Sequence, residues 1–246
     1  MSGEGAGSRL HASTDPGAGR GEPLGATERL KRLARAALAP VTGLLVSAGV
    51  RPDHLTAAGL LVSLGAAVAF FEGGFRLGAL LLATAGVCDI LDGEVARRLG
   101  GTSRFGAFLD STFDRLADAL VLAGIAGYYL EHLVEQATSP QLTLADISRG
   151  LGPPTWALVS LTASAAMIGS FLVSYARARA EGLGLACRVG WFERPQRTAL
   201  LILAGAFGVG PWMSGALLLL VLLSFVTATQ RIVYVWKITR GAGADG

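Results

Sequence analysis

The sequence predicts an all-α integral membrane protein: six transmembrane helices preceded by an N-terminal amphipathic juxtamembrane helix. Three observations lead there. The 246 residues are 52% apolar with a mean hydropathy of +0.51, beyond what an ordinary soluble domain shows. Lys and Arg gather at the ends of the apolar stretches on alternate sides, the pattern that sets orientation in a bilayer. Four aspartates, Asp89, Asp92, Asp110 and Asp114, stand within otherwise membrane-grade apolar segments. A carboxylate at membrane depth costs about 2.5–3.5 kcal/mol even on lenient insertion scales, so these four need a strong partner.

Residues 1–27 are Gly, Ser, Ala and Glu with two prolines and no sustained periodicity, which reads as a disordered cytosolic tail without the apolar centre of a secretory signal. From Glu28, basic Arg29, Lys31, Arg32 and Arg35 alternate with Leu30, Leu33, Leu38, Val41 and Leu45. Such a helix lies in the headgroup layer with its cations toward anionic lipid, bent at Pro40. Spans are expected at about 54–72, 76–98, 105–130, 155–180, 196–210 and 212–237, the fifth being interrupted by Gly and Pro. With the N-terminus inside, only Arg76 and Arg149 of the 21 Lys and Arg residues fall on the outer side, so the active end faces the cytoplasm. The stretch from about 131 to 154 holds Pro140, Pro153 and Pro154 with no catalytic pattern and reads as an outer loop that connects two spans. Residues 241–246 read as a disordered end. Small residues, among them Gly59, Ser63, Gly65, Gly78, Gly86 and Ala163, permit close helix approach where lipid supplies no hydrophobic drive. Cys88 and Cys187 form no disulfide or metal-ligand pattern, and nothing points to nucleic acid as a partner.

The acidic pairs carry the chemistry. Spacings of three and four residues put each pair on one helix face, so two such helices facing one another can close a cage of carboxylate oxygens around a divalent cation. Written from Asp89, the pattern is D-x2-D-G-x2-A-R-x8-G-x3-D-x3-D, met by Asp89, Asp92, Gly93, Ala96, Arg97, Gly106, Asp110 and Asp114. Gly93 and Gly106 remove side chains beside the acidic pairs, either for close approach of a ligand or for helix packing. Arg97, two turns after Asp89, is either a clamp for phosphate or a positive-inside anchor. Asp118 extends the stripe of Asp110 and Asp114 by a turn, as an outer acceptor or a partner for an arginine. Asp53 and Thr56 have the spacing of a helix cap, Asp53 accepting from the Thr56 amide. His11, His54 and His132 are scattered and take no catalytic role.

This pattern resembles the CDP-alcohol phosphotransferase family, membrane enzymes that move a phosphatidyl group from a CDP-linked lipid to an alcohol and release CMP. The resemblance covers the motif tightly and the six-span layout over residues 28–240. It implies two magnesium ions, with manganese as a substitute, held by Asp89 and Asp110 in common, by Asp92 at one site and by Asp114 at the other. It makes Asp114 the base that accepts the proton of the attacking hydroxyl. It carries Asp53, Thr56, Gly93, Arg97 and Ser103 over as contacts to CDP-diacylglycerol, and it implies a homodimer in the plasma membrane. For the acceptor, Ser170, Ser174, Arg177 and Glu181 share one helical stripe. Arg194 stands before Pro195 at a helix start, and Arg231 follows Thr227 by one turn. Arginines at Arg177, Arg194 and Arg231, with Ser174, suit the dianion of an inositol phosphate, their alternative being snorkelling at the lipid interface. These segments resemble the actinobacterial branch of the family that joins CDP-diacylglycerol to 1D-myo-inositol 3-phosphate, with glycerol 3-phosphate as the competing acceptor. A cation transporter, the reading from a different class, predicts acids spread through the membrane rather than bunched at the cytoplasmic ends.

Overall fold

The computed structural model describes residues 38–148 and 152–242. The tail over 1–27, the surface helix from Glu28 up to residue 37, Arg149 and residues 243–246 lie outside the described residues. The chain forms two units, Met1–Ala39 and Pro40–Gly246, and the architecture below is that of the second. Its described residues are helical, with no strand: α1 (Leu38–Ser47), α2 (Pro52–Phe71), α3 (Phe75–Arg98), α4 (Arg104–Thr138), α5 (Pro140–Ser148), α6 (Pro153–Gly182), α7 (Arg194–Ala206) and α8 (Pro211–Ala242). A helix lies at each of the six expected spans, although α2 stops at Phe71 and α7 stops at Ala206, short of the expected end at 210. Gly241 and Ala242, read from the sequence as part of a loose end, close α8 instead.

The helices α2, α4, α6 and α8 (over Pro211–Arg240) are long and apolar enough to cross a membrane. Twenty residues of α2 rise about 30 Å, the thickness of a bilayer core. α3 has 24 residues, but Asp89, Asp92, Glu94, Arg97 and Arg98 load its second half with charge. α7 has only 13 residues and ends in a turn where Gly208 and Gly210 hold positive φ, 87° and 146°. The stretch read as an outer loop is largely helical. α4 runs on to Thr138, and α5 folds back onto it through a Gln136–Asp146 hydrogen bond of 2.7 Å and a 2.6 Å bond from Thr143 Oγ1 to the Gln136 carbonyl. Pro140 and Pro153 start helices rather than break them, because a first-turn N–H has no intrahelical acceptor to lose.

Packing closes a ring. α2 lies against α3 and α4, α4 against α6, α6 against α8, and α7 between α3 and α8. The apolar core fills one half of its length: Phe70, Phe75, Leu122, Ile125, Met213, Leu217 and Leu220 are each 2% exposed or less. Outward-facing Leu61, Leu80 and Leu161 are 65–68% exposed, a surface suited to lipid rather than water. Small residues set the helix spacing. A Cβ on Gly124 of α4 would lie 2.3 Å from the Ala67 carbonyl oxygen of α2, and one on Gly78 would lie 2.8 Å from the Phe70 ring, whereas Gly86 has open space.

Gly124→Ala is therefore expected to force α2 and α4 apart at a cost of about 1–3 kcal/mol, lowering the unfolding temperature of the purified chain in detergent. Gly86→Ala, with nothing to meet and a better helix former in place, leaves that temperature unchanged or raised. Equal effects from the two changes would contradict this account of the packing.

Candidate metal centre

The other half of the ring is polar, and the side chains that line its aspartate pocket come from α2, α3, α4 and α7. Gly100 and Gly101, with φ of 90° and 118°, reverse the chain between α3 and α4 in a tight turn, which brings the end that carries Asp89 and Asp92 beside the start that carries Asp110 and Asp114. Ser103 caps α4 by accepting from the Gly106 amide at 2.9 Å. Asp53 is not the cap of α2. Arg51 is the N-cap, its amide donating to His54 Nδ1 at 3.4 Å, because Pro52 takes the first helical position and moves Asp53 inside the first turn. The Asp53 carboxylate instead reaches α4, where a Cβ on Gly106 would lie 2.9 Å from its Oδ1 and 3.1 Å from Ser103 Oγ. Close packing thus explains Gly106. It does not explain Gly93, whose Cβ would meet only the tip of Arg97, at 3.7 Å.

Asp89, Asp92 and Asp110 converge, with one carboxylate oxygen of each within 4.8 Å of the others. Thr56 Oγ1 donates to Asp92 Oδ2 at 3.0 Å, fixing that carboxylate from α2. Asp110 Oδ1 is buried without a hydrogen-bond partner. An unpaired carboxylate oxygen aimed into a cluster of like charge is costly unless a cation meets it. The all-oxygen donor set suits a hard divalent ion, so the residues fit one. Asp114 lines the same pocket together with Thr56, Gly59 and Arg194, but it stands outside the close trio.

Asp114 is held by an arginine from across the ring. Arg194 NH1 lies 3.1 Å from Asp114 Oδ1 and 3.3 Å from Asp89 Oδ2, and its Nε lies 3.3 Å from Asp118 Oδ1. Arg197, one turn on, binds Asp118 Oδ2 at 3.0 Å with its side chain 5% exposed. The three arginines expected to converge form two adjoining groups instead. Arg194 turns to the aspartates, while Arg177 and Arg231 meet on Glu193, at 3.4 and 3.3 Å. Arg177 also pairs with Glu181 at 2.9 Å. Arg231, buried and so not snorkelling, donates to the carbonyls of Val173 at 2.7 Å and Val189 at 3.0 Å, tying the segment before α7 to α6 and α8. Arg177, Arg194, Arg197 and Arg231 are each met by a carboxylate. Ser174 lines a small cleft with Arg115, Asp118 and Ser170. Arg97 is half-exposed and pairs with Glu94 at 2.5 Å.

The sequence reading gave no role to Glu193 or Arg197. The signal that finds Arg197 is the match of two charged stripes, acids at Asp110, Asp114 and Asp118 on α4 and bases at Arg194 and Arg197 on α7, whereas Glu193 emerges only from its contacts with Arg177 and Arg231.

Residues 50–235 match the model of the CDP-alcohol phosphatidyltransferase family. The chain is 39% identical over 189 residues to archaetidylinositol phosphate synthase of Methanothermobacter thermautotrophicus, covering 75% of this chain and 83% of that protein. It is 32% identical over 220 residues to phosphatidylinositol phosphate synthase of Mycobacterium tuberculosis, covering 85% and 91%. Among solved structures, the crystal structure of the M. tuberculosis phosphatidylinositol phosphate synthase with CDP-DAG bound superposes with a TM-score of 0.66 at 29% identity, covering 80% of this chain and 92% of that one. The same enzyme in complex with manganese and citrate gives 0.65 at 29% identity, covering 80% and 88%.

If the trio is a cation site, the full chain in detergent binds Mn2+, and Asp110→Asn weakens that binding at least about tenfold, or about 1.4 kcal/mol, as read by the free-ion signal in electron paramagnetic resonance. Asp146→Asn, near the other end of the long α4, leaves it unchanged. Equal binding by both variants would remove the trio as the site.

Proposed function

The chain belongs to the CDP-alcohol phosphatidyltransferase family and is an enzyme of that class, and from this premise we propose that it transfers the phosphatidyl group of CDP-diacylglycerol to 1D-myo-inositol 3-phosphate and releases CMP. The observation that carries the reading is the convergence of Asp89, Asp92 and Asp110, with a buried unpaired oxygen on Asp110, in one pocket with Asp114 and Arg194. The manganese and CDP-DAG complexes of the M. tuberculosis relative support it.

Asp89, Asp92, Asp110 and Asp114 hold two Mg2+ ions, with Mn2+ able to replace them. Bound there, the ions neutralise the phosphoryl oxygens of the pyrophosphate. Thr56 keeps the Asp92 carboxylate turned inward. Asp53, Thr56, Gly93, Arg97 and Ser103 receive CDP-diacylglycerol: the open backbone at Gly93 admits the nucleotide, and Arg97, exposed beside it, clamps phosphate bidentately. Ser174, Arg177, Arg194 and Arg231 receive the acceptor, with Arg177 and Arg194 as direct donors and Arg231 holding Glu193 and Val189 in place. Asp114, at the margin of the trio, takes the proton of the attacking hydroxyl. The hydroxyl oxygen then bonds the lipid-side phosphorus, the bond to the CMP phosphate oxygen breaks, and CMP leaves. No covalent enzyme intermediate is needed.

The membrane domain spans residues 28–240 with six crossings and an N-terminal amphipathic helix. α3 and α7 cross despite their charge and shortness, because their polar ends line the pocket rather than lipid. The enzyme works as a homodimer in the plasma membrane, its pocket facing the cytoplasm, as the distribution of Lys and Arg supports.

The test is CMP release from CDP-diacylglycerol by the purified chain in lipid nanodiscs with Mg2+. Inositol 3-phosphate is expected to support turnover and EDTA to abolish it, while Asp114→Asn lowers kcat by about 10²–10⁴. Turnover with glycerol 3-phosphate and none with inositol 3-phosphate would overturn the acceptor assignment. Mn2+ flux into liposomes without CMP formation would overturn the enzyme reading and leave a transporter.

A further inference from the structure

Arg194 reaches three carboxylates on two helices: Asp89 and Asp114 through NH1, and Asp118 through Nε. Two of the three belong to the metal set of the proposed function, and the third does not. Asp89 Oδ2 and Asp114 Oδ1 cannot serve a guanidinium and a divalent ion at full strength together. The two cations repel, and lone pairs turned toward NH1 are turned away from a metal. Asp118 is differently placed. Its second oxygen is fixed by Arg197, a nearly buried side chain on the same turn of α7 as Arg194, so Asp118 is anchored to the helix that carries the arginine.

Building on that reading of the site, we propose that Arg194 is an internal counter-cation displaced by the divalent metal, and that Asp118 is the positioning residue that retains it. Metal loading frees NH1 from Asp89 and Asp114 while Nε stays on Asp118. A guanidinium held at one edge and open at the other is the donor arrangement that suits a phosphate. Arg194, at the first position of α7, then presents its free edge beside the helix N-terminus, where backbone amides add to the positive field. Metal binding and acceptor binding are thereby coupled through one side chain. The coupling is reciprocal: the metal tightens the acceptor by the factor by which the acceptor tightens the metal.

The experiment measures Mn2+ binding to the full chain in nanodiscs by electron paramagnetic resonance, with and without inositol 3-phosphate and with no CDP-lipid present. Arg194→Gln is expected to bind Mn2+ at least about fivefold more tightly than the wild type, the lower end of an ordinary coupling between sites, and to lose the further tightening caused by inositol 3-phosphate. Arg194→Lys, which keeps the competing charge, stays near the wild-type affinity. Asp118→Asn, an independent variant should Arg194→Gln fail to fold, binds Mn2+ more weakly, because Arg194 then leans wholly on Asp89 and Asp114, and it too loses the effect of inositol 3-phosphate. Equal or weaker Mn2+ binding by a folded Arg194→Gln, or coupling retained in Asp118→Asn, overturns this inference alone. No Mn2+ binding by the wild type overturns the metal reading and this inference with it.

Discussion

Asp89, Asp92, Asp110, Asp114 and Asp118 are gathered in one half of the helical ring, partly buried, where their mutual repulsion is only partly screened by water. The rest of the polar architecture answers that concentration of negative charge. Thr56 donates to Asp92, Arg194 divides itself among three of the acids, and Arg197 neutralises the last. Among the acids of this cluster, a buried oxygen of Asp110 is left without a hydrogen-bond partner. Burying a charge without a partner is among the costliest arrangements available to a protein, so this unpaired carboxylate oxygen is where a ligand cation has much to gain.

The division of the ring into an apolar half and a polar half makes this concentration tolerable. Aromatic and aliphatic side chains such as Phe70, Phe75, Ile125 and Leu217 fill the first half, and glycine contacts such as Gly124 on Ala67 bring the backbones close. That rigid half holds the helices in register, so the acids of α3 and α4 are presented at a set distance across the second half. The short α7 belongs to the same design. Its later residues Leu201 and Ala204 join the apolar core, while at its start Glu193, Arg194 and Arg197 engage α4, α6 and α8 at once.

The second charge cluster follows a similar logic with the signs reversed. Arg231 is a buried cation and Arg177 a partly exposed one, and Glu193 serves both. Because Glu193 immediately precedes Arg194, the two charge clusters are linked through the first turn of one helix. Glu193 thus occupies the Arg177 guanidinium much as Arg194 occupies Asp89 and Asp114.

The sequence alone determined the helical class, the approximate place of each apolar helix, though not the length of α4 or α7, and the acidic motif with its spacing. These are local properties: hydropathy along a helix-length window, and the periodicity that puts Asp89 with Asp92 and Asp110 with Asp114 on one face. It misjudged Asp53 as a cap, because Pro52 and His54 compete for the same end of α2, and it left residues 131–154 as a loop because prolines that start helices read like prolines that break them. Only the tertiary structure decided which charges meet. That Arg194 faces the aspartates while Arg177 and Arg231 share Glu193, or that Arg197 holds Asp118, depends on how α7 is rotated and lodged between α3 and α8. That rotation is set by packing among helices distant in the chain, which no local window of sequence contains.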